Sequence, residues 1–161
     1  MAAENAAKPI VVAIDGSAPA WEALDTALYL ASLIQRPVVV VTVIQLRKAG
    51  YFAFIDRHLL EEAQTYAQKL LVEAQEKARK TGVEAHTHVL ESEKDISEAI
   101  ITYLEGAGPV KFLVLGSHGH GFVGRHLLGS TTERVIREVA HRGLPVPVLV
   151  VPATLSEEEK K

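Results

Sequence analysis

Val110-Lys111-Phe112-Leu113-Val114-Leu115-Gly116-Ser117-His118-Gly119, then nine residues, then Gly129-Ser130-Thr131-Thr132-Glu133: this stretch contains a strand, a turn and a helix start. The apolar run reads as a strand covered on both faces. Glycines end it, and a hydroxyl-rich segment opens an amphipathic helix with Val135, Ile136 and Val139 as its buried stripe. Ser130-Thr131-Thr132-Glu133 has the capping-box pattern.

The same unit repeats along the chain. Strands are expected at Pro9–Ile14, Val38–Ile44, Val83–Leu90, Val110–Leu115 and Pro147–Val151. Four of these are nearly continuous Val, Ile and Leu. The third, Val83-Glu84-Ala85-His86-Thr87-His88-Val89, alternates, which suits an edge strand open on one face. Helices are expected from Pro19 to Gln35, Asp56 to Lys80, Ile96 to Glu105 and from Ser130 onward. Ser17 and Asp95 are candidate caps, and Gly82 ends the second helix. The expected core contacts are Trp21, Leu24, Leu28, Ala31 and Leu33 in the first helix, Leu59, Ala63, Tyr66, Leu70, Ala74 and Lys77 in the second, and the face of Ile96, Ala99, Ile100, Tyr103 and Leu104 in the third. Alternating strands and helices imply a three-layer α/β/α sandwich around a five-stranded parallel sheet. With right-handed crossovers, the flavodoxin-like order 3-2-1-4-5 puts the alternating strand at an edge.

Composition narrows the function classes. The chain has 161 residues, 48% hydrophobic and 23% charged, with net charge −3. That fits one domain, with its core at about residues 8–152 and a charged tail, Leu155–Lys161. No basic tract suggests nucleic acid. No cysteine is present, which excludes disulfides, thiolate catalysis and cysteine-ligated metal. No apolar run nears a bilayer span, and the first residues do not read as a secretory signal. A cytoplasmic protein with neither membrane nor nucleic-acid partners is expected.

In the order 3-2-1-4-5, Asp15-Gly16-Ser17 and the segment 116–130 meet at the switch point beyond the carboxyl ends of strands one and four. Ligands of open α/β sheets bind there. The segment is not a Walker loop, because no Gly-Lys-Ser/Thr occurs, and the Rossmann fingerprint would follow the first strand. Gly116 and Gly119 can turn the strand end and expose amides. Gly129-Ser130 returns the chain at a helix N-terminus, which favours an anion. Linked phosphates are one reading, with His118, His120, Arg125 and His126 adding charge. A tight loop with a capped helix is the other.

The spacing Gly116-x-x-Gly119-x9-Gly129-Ser130 resembles the ATP-binding branch of the universal stress protein family. Val11-Val12-Ala13-Ile14-Asp15-Gly16-Ser17 is similar to that family's first strand and loop, Val41-Thr42-Val43-Ile44 to its second strand end, and 145–151 to its last strand. The resemblance implies an ATP site, with AMP or ADP as alternatives and Mg held mainly by the phosphates. It implies that Ala13, Ile14 and Asp15 flank the nucleoside, with Asp15 toward the ribose or adenine, and that the Val43 backbone meets the adenine. Gly116, Ser117, Gly119, Gly129 and Ser130 would line the phosphates and ribose, and His118 would flank the triphosphate. Thr131 and Thr132 would add N–H or hydroxyl donors. His120 stands where the family often has Arg. The resemblance also implies a homodimer through the last strand (Val146, Val148, Val150) and an unidentified regulatory protein partner.

No acidic pair and no lysine accompanies the motif, so no catalytic residue is assigned and weak ATP hydrolysis is the most expected. The expected role is a nucleotide-dependent regulator of the stress response. A slow or self-phosphorylating ATPase and a nucleotide-free adaptor are the alternatives. His86 and His88 face one side of a strand without an evident third metal ligand. Tyr51, Phe52 and Phe54 could form a flap over the crevice.

Overall fold

The computed structural model describes residues 7–46, 53–119 and 128–153, with backbone alone for 53–56. The flap aromatics Tyr51 and Phe52, the Phe54 side chain, His120, Arg125, His126 and the tail lie outside the described residues.

The elements alternate: β1 (Ile10–Ala13), α1 (Ala18–Ile34), β2 (Val38–Gln45), α2 (Ala53–Thr81), β3 (Ala85–Ser92), α3 (Ile96–Gly106), β4 (Phe112–Gly116), α4 (Ser130–His141) and β5 (Val148–Val151). The sheet is wholly parallel in the order β3-β2-β1-β4-β5, with Val12 paired to Val40 on one side and Val114 on the other. Period-two alternation divides β1 between two cores. Ile10 and Val12 pack under α1 and α2 with Leu24, Leu28, Leu70 and Ala74. Val11 packs on the other face under α3 and α4 with Ile100, Ile101, Leu104 and Val135. The edge strand β3 is half covered along most of its length, as its alternation predicts.

The helix stripes differ from expectation in register. In α1, after Pro19, the buried positions are Ala20, Ala23, Leu24, Ala27, Leu28 and Ala31, a three- and four-residue rhythm. Leu33 falls two residues past Ala31, off that stripe, and is 60% exposed. In α2 the buried stripe is Ala67, Leu70, Leu71, Ala74 and Ala78, while Leu59 and Tyr66 are exposed. A 29-residue helix is ~44 Å long, against ~26 Å for the eight-residue β3, so its first turns overhang the sheet. Ile136 of α4 is only partly buried, and Thr132 takes its place in the stripe with Val135 and Val139.

Two caps also differ. Asp95 caps α3 as expected, accepting from the Glu98 amide at 3.0 Å. Ser17 stands at the N-cap of α1, but its hydroxyl donates to Asp15 Oδ1 at 2.5 Å and makes no cap bond. The N-cap of α4 is Gly129, one residue earlier than the capping box requires, and Glu133 pairs with Arg137. The last strand starts at Val148, so Val146 precedes it, its amide bonded to the Leu144 carbonyl at 2.8 Å.

Candidate functional site

The chain leaves β1 toward α1 on one face and leaves β4 toward α4 on the other, which opens a crevice between the two strand ends. A cleft of about 430 Å³ occupies it, within the range of small-molecule sites. Ala13, Ile14, Asp15, Val43, Gly116, His118, Gly119, Gly129, Ser130, Thr131 and Thr132 all line it. Ser117 does not. Its amide donates to the Val151 carbonyl and its carbonyl accepts from the Gly129 amide, both at 2.8 Å, so it draws the two ends of the loop together.

The rest of the lining is apolar: Ala20, Ile96, Ile100 and Leu115. The periodicity of α3 marked Ile96 and Ile100 as core contacts. The missed signal is position: α3 follows β3, so its first turn starts at the carboxyl edge of the sheet, beside the crevice. Apolar lining together with polar N–H groups suits a ligand with an apolar part and an anionic part.

The glycines explain how the loop closes. A Cβ at Gly116 would lie 2.8 Å from the backbone of Pro19, so β4 can meet the start of α1 only without a side chain there. At Gly129 a Cβ would lie 2.8 Å from His118 Cα. At Gly119 it would run into Asp15 Oδ2. These glycines first accommodate the chain itself. Gly16, at φ +86°, lies under the Tyr66 hydroxyl, which donates to the Asp15 carbonyl at 3.2 Å.

Asp15 Oδ1 accepts from the amide and hydroxyl of Ser17, at 2.9 and 2.5 Å, which closes the turn after β1. Its other oxygen lies close against Gly119. Opposite, α4 begins. The first bond of that helix runs from the Glu133 amide to the Gly129 carbonyl at 2.9 Å, so the amides of Ser130, Thr131 and Thr132 precede the ladder. The positive end of the helix dipole therefore opens into the cleft. The Thr132 hydroxyl is directed elsewhere: it donates to the Gly116 carbonyl at 2.8 Å, tying β4 to α4. Thr132 can offer a ligand its amide, while the exposed Ser130 can offer amide and hydroxyl.

Among the described residues, Asp15 is the one acidic side chain lining the cleft, and no lysine lines it. Among the described residues, no three His, Cys, Asp or Glu groups could share a metal ion. His86 bonds Glu84 at 2.8 Å, and the ring of His88 lies 6.0 Å from that of Tyr103. No described helix is long and apolar enough to cross a membrane.

Residues 6–152 match the profile of the Universal stress protein family. A universal stress protein of Methanocaldococcus jannaschii is 33% identical over 154 residues, covering 92% of this chain and 84% of the relative. A family member from Burkholderia pseudomallei superposes with TM-score 0.71 at 27% identity, covering 91% of this chain and 96% of that one. The universal stress protein of Archaeoglobus fulgidus in complex with dAMP superposes with TM-score 0.64 at 24% identity, covering 89% and 97%. The strand order, the crevice loop and these relatives agree, and the chain belongs to the universal stress protein family.

Proposed function

We propose that this chain is an adenine-nucleotide-binding regulator of the cytoplasmic stress response, with Mg-ATP as its main ligand and AMP or ADP as weaker ones. One observation carries the reading. The open N-terminus of α4 and the Asp15 turn line one cleft, and the rest of its lining is apolar. Phosphates suit the amides of Ser130, Thr131 and Thr132. An adenine suits the wall of Ile96, Ile100 and Val43, with the Val43 backbone as its hydrogen-bonding edge. A ribose between them meets Asp15, whose carboxylate accepts from sugar hydroxyls. The Mg would be held mainly by phosphate oxygens. Relatives support the ligand class: the A. fulgidus protein is solved with dAMP, another member with cAMP, and an Arabidopsis thaliana member with AMP.

The experiment is equilibrium dialysis with Mg-ATP, ADP and AMP, alongside mass identification of any nucleotide that co-purifies. Saturable binding, tightest for ATP, is expected. Saturation at 100 times Kd would add about 2.7 kcal/mol to stability, visible as a raised Tm. No binding at millimolar nucleotide would overturn the reading and leave the adaptor role. A slow ATPase is the second reading. Among the described residues Asp15 is the one acid at the cleft, and one of its oxygens already serves the turn after β1, so phosphate release should stay near background. Release well above background and lost in His118→Ala would favour the enzyme.

The regulator reading includes a homodimer paired along β5 and a further protein partner through which the occupied state is read.

A further inference from the structure

The second edge of the sheet is longer. β3 spans eight residues and β5 four. All eight residues of β3 pair with β2 in unbroken parallel register, from Val38–Ala85 to Gln45–Ser92. The Val38 amide donates to the Glu84 carbonyl and the Leu46 amide to the Ser92 carbonyl. With that register, the even-numbered residues bond to β2, and Ala85, Thr87, Val89 and Glu91 turn their N–H and C=O groups outward. Gln75 of α2 reaches the Ala85 carbonyl at 3.0 Å. Among the described residues, nothing bonds the outward groups of Thr87, Val89 and Glu91. Natural edges are commonly blunted by proline, lysine or a bulge, and β3 has none of the three.

A groove lies on each side of this edge. Toward α2 it is lined by Glu61, Gln64 and Gln68 with Val89 and Glu91. Toward α3 it is lined by Leu90, Glu93 and Tyr103, with Lys94 the single cation among the described residues. Glu61, Glu91 and Glu93 form no ion pair with a described residue. An added strand would drop alternate side chains into the two grooves, and both are predominantly acidic.

We propose that β3 is a docking edge for an extended, lysine- or arginine-bearing segment of another protein, which joins the sheet as a sixth strand. The backbone of Thr87, Val89 and Glu91 supplies the ladder, and the flanking carboxylates select the basic side chains. A second copy of this chain fits poorly. In antiparallel pairing of β3 with itself, centred on His88, Glu91 of one copy faces Ala85 of the other and Glu84 faces Ser92, so β3 offers these carboxylates no Lys or Arg.

The test uses the full 15N-labelled chain and a synthetic peptide of alternating valine and lysine, with a valine–glutamate peptide as control. In the free protein, the amides of Thr87, Val89 and Glu91 exchange fast. The lysine peptide slows them at least tenfold and the control does not. Val89→Pro removes one outward donor and no bond to β2, and weakens the lysine peptide about tenfold. The double variant Glu91→Lys, Glu93→Lys loses the preference for lysine. If Val89→Pro fails to fold, the double variant decides alone. Three outcomes overturn the proposal: these amides already protected in the free chain, whether by its own segments or a second copy; equal binding of both peptides; or a double variant that keeps the preference.

Discussion

At the scale of single residues, the loop glycines separate two explanations that the sequence leaves together. A glycine near a phosphate could make room for the ligand or for the chain. At Gly129 the missing Cβ would meet the His118 backbone at 2.8 Å, which cannot move without opening the loop. Gly129→Ala should therefore cost ~1–3 kcal/mol of stability in chemical denaturation, as overpacking does. At Gly119 the missing Cβ would meet the end of a side chain, the Asp15 carboxylate, which can swing aside. Gly119→Ala should leave stability within ~0.5 kcal/mol and weaken nucleotide binding by displacing Asp15. The reverse ranking, with Gly129→Ala harmless to the fold, would show that the empty space serves only a ligand. The sequence marks where such glycines stand. It does not show what each faces, because Pro19, Asp15 and His118 reach them only through the tertiary fold.

At the scale of elements, α3 is held by a cap that titrates. The Ser97 hydroxyl beside Asp95, then the Glu98 amide and the Arg134 guanidinium, hold its carboxyl below the usual carboxylate range. A depressed folded value means the carboxylate stabilises the fold above the unfolded pKa of about 3.9, and that this contribution is lost as pH falls through the lower folded value. Asp95→Ala should cost ~1 kcal/mol at neutral pH. The difference from the parent should shrink in urea titrations below about pH 4. A pH-independent difference would mean that packing, not the charge, sets the cost. The C-terminal end of α4 is tied to α3 by Arg142, which meets Glu98, Glu105 and Glu138 at 3.2, 2.8 and 2.9 Å. Element types and strand order were legible because five apolar runs alternate with 3.6-period patterns, and the alternating third strand belonged at an edge. Registers were less so. Alanines form most of the α1 stripe, and small residues signal burial weakly, so Leu33 looked like the better core residue. Likewise, Ile96 and Ile100 read as core because periodicity reports a buried face, not whether the neighbour is protein or a cleft.

At the scale of the whole molecule, the two open edges of one sheet invite different partners. β3 is long and flanked by carboxylates. β5 is short and apolar: Val148, Val150 and Val151 are half-buried and Leu149 is 36% exposed. The Leu113 amide donates to the Pro147 carbonyl and the Ser117 amide to the Val151 carbonyl, so Pro147, Leu149 and Val151 bond inward to β4. Val148 and Val150 turn their backbone groups outward, where a two-fold-related β5 can pair antiparallel without bringing like charges together. In the proposed homodimer these are the pairing residues, and Val146, ahead of the strand, lies at the rim. Val150→Pro removes an outward donor and leaves the bonds to β4 intact. It should convert a dimer into a monomer in sedimentation equilibrium at micromolar concentration, with its circular dichroism spectrum unchanged. Val89→Pro on the opposite edge should leave the dimer intact. A parent chain that sediments as a monomer, or a Val150→Pro variant that still dimerises, would remove β5 as the self-pairing edge. Dissociation caused by Val89→Pro instead would assign self-association to β3 and leave no free edge there for a basic segment.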